Sequence, residues 1–174
     1  MILLIFFFLF LVFVPILIFM LYTLYAIVRG APYVPLSKDK VMIMIQTAGL
    51  QSTDTFFDLG SGDGRLLRAA APLVKQCIGI EINPVLYYWS RLLCRRYKNI
   101  TIKRQDLWMV DLSTATSISL YFIAHKMDAL ATKLNQELKP ETRVVSYGFQ
   151  FHSWHYTQKN KNVYLYVFPQ RINQ

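Results

Sequence analysis

Charge is missing from the start of this chain. From Met1 to Val28 there is no Asp, Glu, Lys, Arg or His. Acids are scarce elsewhere: 10 Asp plus Glu stand against 19 Lys plus Arg, giving +9, all of it beyond residue 28. That excess suits anionic lipid headgroups or acidic partners, and equally suits scattered solvated lysines. Cysteine is nearly absent as well. Cys77 and Cys94 alone exclude a disulfide scaffold and read as reduced structural thiols. No CxxC or HExxH spacing joins them to His125, His152 or His155, so no metal is expected. At 174 residues there is room for about one domain, and no internal repeat or low-complexity tract divides it.

The uncharged start is itself informative. Ile2 to Val28 is a continuous apolar and aromatic run, and as a helix it would rise about 40 Å, enough to cross a hydrocarbon core of about 30 Å. It lacks the basic start, shorter core and small-residue cleavage site of a signal peptide, and it does not resemble a cleavable mitochondrial presequence. Pro15 predicts a kink. Tyr22 and Tyr25, followed by Arg29, Lys38 and Lys40, match an aromatic belt with a basic cytoplasmic flank. The expectation is a single-pass anchor over residues 1–29 with its N-terminus outside, in a bacterial inner membrane by preference, with a mitochondrial inner membrane as the alternative. A hinge and N-terminal helix over 30–54 and a cytoplasmic domain over 55–174 follow.

Beyond the hinge, the pattern alternates. Ser37 is a candidate N-cap for a helix bearing Val41, Met44, Ile45 and Ala48 on one face and ending at Gly49. Strands are predicted over 55–59, 76–82, 100–104 and 117–122, with helices over 65–74, 84–97 and 126–138. The segments 143–149 and 163–168 read as an antiparallel edge hairpin. Such alternation predicts an α/β fold: a doubly wound, mostly parallel sheet with its ligand site at the C-terminal strand ends.

The segment TFFDLGSGDGRLL, residues 55–67, places a glycine loop at the first of those ends. A P-loop would need GxxxxGK[S/T], and neither the Lys nor the hydroxyl is present. A dinucleotide fingerprint would need a glycine where Arg65 stands. Instead Asp58 lies two residues before Gly60, Gly62 and Gly64, with Asp63 among them, and these acids would repel phosphates. Glycine permits a close backbone approach and an acid can pair with a cationic group, so a sulfonium cofactor bearing an amino acid fits better than a pyrophosphate. Glu81, ending the second strand, can take both hydroxyls of a ribose. Asp106, after the third, can accept from an adenine amino group.

The sequence resembles the class I S-adenosylmethionine-dependent methyltransferases. Within that class it resembles the small protein-lysine methyltransferases, the family of the enzymes that modify ATP synthase and the adenine nucleotide translocase. The resemblance rests on PYVPLS, FDLGSGDGR, GIEINPVLYYWSR, QDLW and ELKPETRVVSYGFQF with Trp154 close behind. It implies a Rossmann-like methyltransferase sheet, S-adenosylmethionine as cofactor, and a cofactor set of Tyr33, Asp58, Gly60, Ser61, Gly62, Gly64, Glu81, Ile82, Asn83, Asp106 and Leu107, with Tyr33 as a lid.

For the acceptor side, aromatic residues cluster where the fourth and fifth strands should end: Tyr121, Phe122, Tyr147, Phe149, Phe151 and Trp154. A weakly solvated aromatic pocket beside a sulfonium would lower a lysine's pKa, and Tyr121 and Trp154 are the candidate catalytic residues. His125 reads as a surface residue at a helix start, and no general base is assigned. A protein substrate, with membrane proteins among the candidates, and the lipid bilayer are the expected partners. YFIA replaces the Asn/Asp-Pro-Pro-Tyr/Phe stretch of enzymes that methylate a flipped adenine, so no nucleic acid is expected. A lipid, quinone or other small-molecule acceptor, and a non-catalytic cofactor-binding membrane protein, are the alternatives.

Overall fold

The structure is a computed structural model that describes residues 2–29 and 33–169. The hinge residues Ala31 and Pro32, and the Arg29 side chain expected to flank the span, lie outside the described residues. The elements are α1 (Ile2–Arg29), α2 (Lys38–Ala48), β1 (Thr55–Leu59), α3 (Arg65–Ala70), β2 (Gln76–Glu81), α4 (Pro84–Cys94), β3 (Ile100–Arg104), β4 (Ser117–Leu120), α5 (Met127–Glu137), β5 (Arg143–Tyr147), β6 (Gln158–Asn160) and β7 (Val163–Val167).

The strands form one sheet in the order β3-β2-β1-β4-β5-β7-β6. β1 to β5 pair in parallel, and β7 runs antiparallel to β5. β1 is central, and four of its five residues are buried because helices cover both faces of the sheet. The chain changes direction between β1 and β4, which opens a crevice at their C-terminal ends. Two apolar clusters fill the layers. One packs around Ile118, Leu130, Leu134 and Tyr166, and the other around Met44, Phe56, Leu67 and Cys77.

Several elements differ from expectation. α3 stops at Ala70 and tightens into a 3-10 turn over Ala71–Leu73, because Pro72 has no N–H to continue an α-helix. α4 ends at Cys94 rather than 97, and β4 ends at Leu120. Ser37 holds the N-cap position of α2 without a side-chain hydrogen bond, while Gly49 closes that helix in the left-handed region (φ 55°). The β5/β7 pair is antiparallel as expected but is not the edge, since β6 adds an outer strand to β7. Both cysteines are buried and free.

α1 is continuous through Pro15, and its Ile2–Tyr25 portion is long and apolar enough to cross a membrane, with a mean hydropathy of 3.4. Its partly covered residues, Val14, Ile18, Phe19, Tyr22 and Thr23, share one face of its C-terminal half. α1 packs against α4, and Arg104 donates to the Tyr22 hydroxyl at 3.3 Å.

Candidate functional site

β1 delivers the first acid. Asp58 is buried, and its Oδ1 accepts a hydrogen bond from Ser119 Oγ at 2.8 Å on β4, its register partner. Burial pushes the Asp58 carboxyl up to about 7, opposed by the Ser119 hydrogen bond and reinforced by the charges of Glu81 and Asp63.

The loop that follows is fastened to β2. The Gly60 and Ser61 N–H groups both donate to Ile80 O at 2.9 Å, and the Gly62 N–H donates to Glu81 Oε2 at 2.8 Å. Glu81 Oε1 accepts from the Asn83 N–H at 2.7 Å. Burial pushes Glu81 upward, countered by its backbone hydrogen bonds. Asn83 caps α4 by accepting from the Val85 and Leu86 N–H groups, with Pro84 fixed in the first turn. Asp106 Oδ1 accepts from the Trp108 N–H at 3.1 Å.

Gly62 is required on two counts. Its φ of 56° is left-handed, and a Cβ there would stand 2.7 Å from Tyr33 Cε2. The Tyr33 ring therefore lies directly over the loop. Arg65 secures this cover, with Nε and Nη2 each 2.9 Å from the Asp63 carboxylate and Nη1 donating to Leu36 O. Burial raises Asp63, but the Arg65 hydrogen bonds and charge prevail and hold it below its ordinary range. Burial and the nearby Asp63 push the Tyr33 hydroxyl upward. The position that lacks the dinucleotide glycine thus holds a strap joining the loop to the segment that precedes α2.

These elements line a partly open cleft with a cavity volume of about 120 Å³. Of the residues predicted from sequence, Tyr33, Asp58, Gly60, Ser61, Gly62, Glu81, Ile82, Asn83, Asp106, Leu107 and Tyr121 all line it. Gly64 does not; it opens α3 at φ 74°, where a Cβ would meet Cys94 Sγ at 2.8 Å. Trp154 is not brought to the cleft. It is 5% exposed and packs on Phe151 (4.4 Å between centroids) and Tyr166 (5.8 Å) in the core, so its place is that of a packing residue. His125 is exposed in a 3-10 turn before α5. Sequence reasoning missed Val34, Pro35, Leu36 and Leu86 as lining residues, and Thr23 in the C-terminal part of α1. Ser119 had no local signal either, since only strand register brings it to Asp58.

Tyr121 and Phe122, just beyond the end of β4, line the cleft on the other side. Tyr121 meets Tyr147 edge-on at 5.2 Å and stacks with Phe149 at 6.4 Å, and the Lys40 ammonium lies 5.1 Å from the Tyr147 ring centre.

The residues present suit S-adenosylmethionine. Ser61 Oγ is buried in the cleft with no hydrogen-bond partner, and of the four carboxylates that line it, Asp58, Glu81 and Asp106 stand at successive strand ends, where acceptors for an amino group, ribose hydroxyls and an adenine amine would be needed. That set of acceptors favours a cationic nucleoside over a phosphate.

The family described as the ANTKMT methyltransferase domain matches residues 58–158. The chain is 34% identical over 155 residues to a protein-lysine N-methyltransferase of Saccharolobus islandicus, covering 80% of this chain and 95% of that one. It is 32% identical over 126 residues to an ATP synthase lysine N-methyltransferase of Xenopus laevis, covering 71% of this chain but only about half (55%) of the frog protein. Among solved structures, an RNA methyltransferase from Salinibacter ruber in complex with S-adenosyl-L-homocysteine is similar, with a TM-score of 0.75 and 32% identity over 81% of this chain and 97% of that one.

Proposed function

This chain belongs to the ANTKMT methyltransferase family, and from that premise we propose that it methylates lysine side chains of a membrane protein while held in the bilayer by α1. As a member of the family it is an S-adenosylmethionine-dependent methyltransferase; the bound cofactor supplies an electrophilic methyl group, and a neutral thioether leaves. Asp58, Glu81, Asp106 and the loop from Gly60 to Gly62 would hold it, with Tyr33 above.

The observation that carries the lysine reading is the ring cluster of Tyr121, Tyr147 and Phe149 beside the cleft, with the Lys40 ammonium 5.1 Å from the Tyr147 ring centre. At neutral pH only about one lysine in a thousand is unprotonated, a penalty of roughly 4 kcal/mol. A poorly solvated aromatic wall next to a positive sulfonium lowers that penalty, and the same rings then hold the amine in line with the methyl carbon. The named lysine methyltransferases among the relatives support the reading. The Salinibacter structure's RNA methyltransferase name favours a nucleic-acid acceptor instead.

Incubating the full chain with methyl-labelled S-adenosylmethionine and native membranes separates these readings. Label recovered as methyl-lysine after protein hydrolysis is the expected result. Label confined to lipid or to RNA overturns the lysine assignment.

A further inference from the structure

α4 buries Leu86, Ser90 and Cys94 along one stripe, and its opposite face leaves Tyr88 63%, Trp89 52% and Leu92 49% exposed. These apolar residues are set among exposed arginines at 91, 95 and 96. No Asp or Glu occurs between Pro84 and Arg104. β3, the outermost strand on this side of the sheet, continues the basic surface with exposed Lys103 and Arg104. A large aromatic ridge amid arginines, without a single acid, suits a headgroup layer, where rings sit at the boundary and cations reach lipid phosphates.

We infer that the outer face of α4, together with the β3 edge, is a second membrane contact that docks on an anionic lipid surface beside α1. The inference rests on the reading of α1 as a bilayer span. Continuity with α1 favours lipid over other anionic partners. From Ile2 to Tyr22 the helix rises about 30 Å, the thickness of a hydrocarbon core, so Tyr22 falls at its boundary. Arg104 donates to the Tyr22 hydroxyl and lies 5.9 Å from its ring centre, which holds the β3 end at that depth. α4 packs directly on α1 and is therefore held near the same level. Thr23 and Leu86 line the cofactor cleft from these two helices, so docking also fixes the mouth of the site close to the headgroups.

The test uses the full chain in phosphatidylcholine vesicles with and without phosphatidylglycerol. An environment-sensitive fluorophore goes on Leu92→Cys or, as a control at the opposite sheet edge, on Lys159→Cys; the native cysteines are buried. Quenching by lipid-borne quenchers at 92 but not at 159, stronger in the anionic vesicles, is expected. Adding Arg95→Gln should lower the docked-to-undocked ratio about fivefold while cofactor binding stays intact. If position 92 behaves like 159 while the chain resists carbonate extraction, the α4 contact is overturned and the anchor stands. Carbonate extraction of the chain would remove the anchor reading and the docking with it. A response at 92 to added RNA but not to vesicles would overturn the inference in favour of a nucleic-acid surface.

Discussion

The two halves of the cleft are built from different materials. On the β1–β2–β3 side, the cleft is lined by the turn at Gly60 and Gly62 and by the carboxylates Asp58, Glu81 and Asp106, each held by hydrogen bonds from Ser119 or from backbone N–H groups. On the β4–β5 side, it is lined by rings: Tyr121 and Phe122, supported by Tyr147 and Phe149. The first half presents a fixed polar pattern. The second offers a low-dielectric wall that can receive various acceptors, which is why the cofactor can be read from geometry while the acceptor is reached by proposal.

Substitutions can break this contrast. Trp154→Ala should cost about 3–5 kcal/mol of stability, seen as a lowered midpoint in chemical denaturation, with turnover per folded molecule little changed. Loss of turnover without loss of stability would return Trp154 to the acceptor side. Gly62→Arg forces a side chain into a left-handed position against Tyr33, and cofactor affinity by calorimetry should fall at least a hundredfold, about 3 kcal/mol. Retained affinity would mean that the loop is not the cofactor cradle. Tyr121→Ala should leave cofactor affinity within about threefold and lower kcat by roughly ten- to a hundredfold, or about 1.4–2.8 kcal/mol. Equal losses in both would erase the division between the halves.

The smallest effect concerns protonation. Asp58 is raised to about 7, so the ligand-free protein is favoured below pH 4, where the carboxyl is protonated folded or unfolded, and loses that advantage as pH climbs toward 7. A cationic ligand group favours the carboxylate. Cofactor affinity should therefore rise up to about tenfold per pH unit below 7 and level off above it, and Asp58→Asn should flatten the profile. An unchanged slope in the variant would assign the titration elsewhere.

The same contrast explains what could be read from the chain. Asp58, Glu81 and Asp106 were legible because they stand near the end of β1, at the end of β2 and just beyond β3, and topology brings those strand ends to the crevice. Tyr33 was legible through its motif. The Arg65 strap was not: an arginine where a glycine is missing reads as an exclusion, and its carbonyl partner at Leu36 carries no side-chain signal. Trp154 was misplaced because an aromatic residue in a loop after β5 gives no periodicity to say which side of the sheet it joins. β6, Gln-Lys-Asn, pairs only with β7 at an exposed edge and so has no apolar alternation to betray it.

The Arg65 strap also limits reach. It fastens Leu36 to the cofactor loop, and Tyr33 lies on Gly62, so the chain is held from Tyr33 onward. Only three residues separate Arg29 at the end of α1 from Tyr33, a distance of at most about 14 Å when fully stretched. With α1 seated in a bilayer, the catalytic mouth is leashed to a thin shell above the surface. Any lysine on a taller extramembrane domain would be out of range, and the enzyme would search in two dimensions for acceptors that stay low.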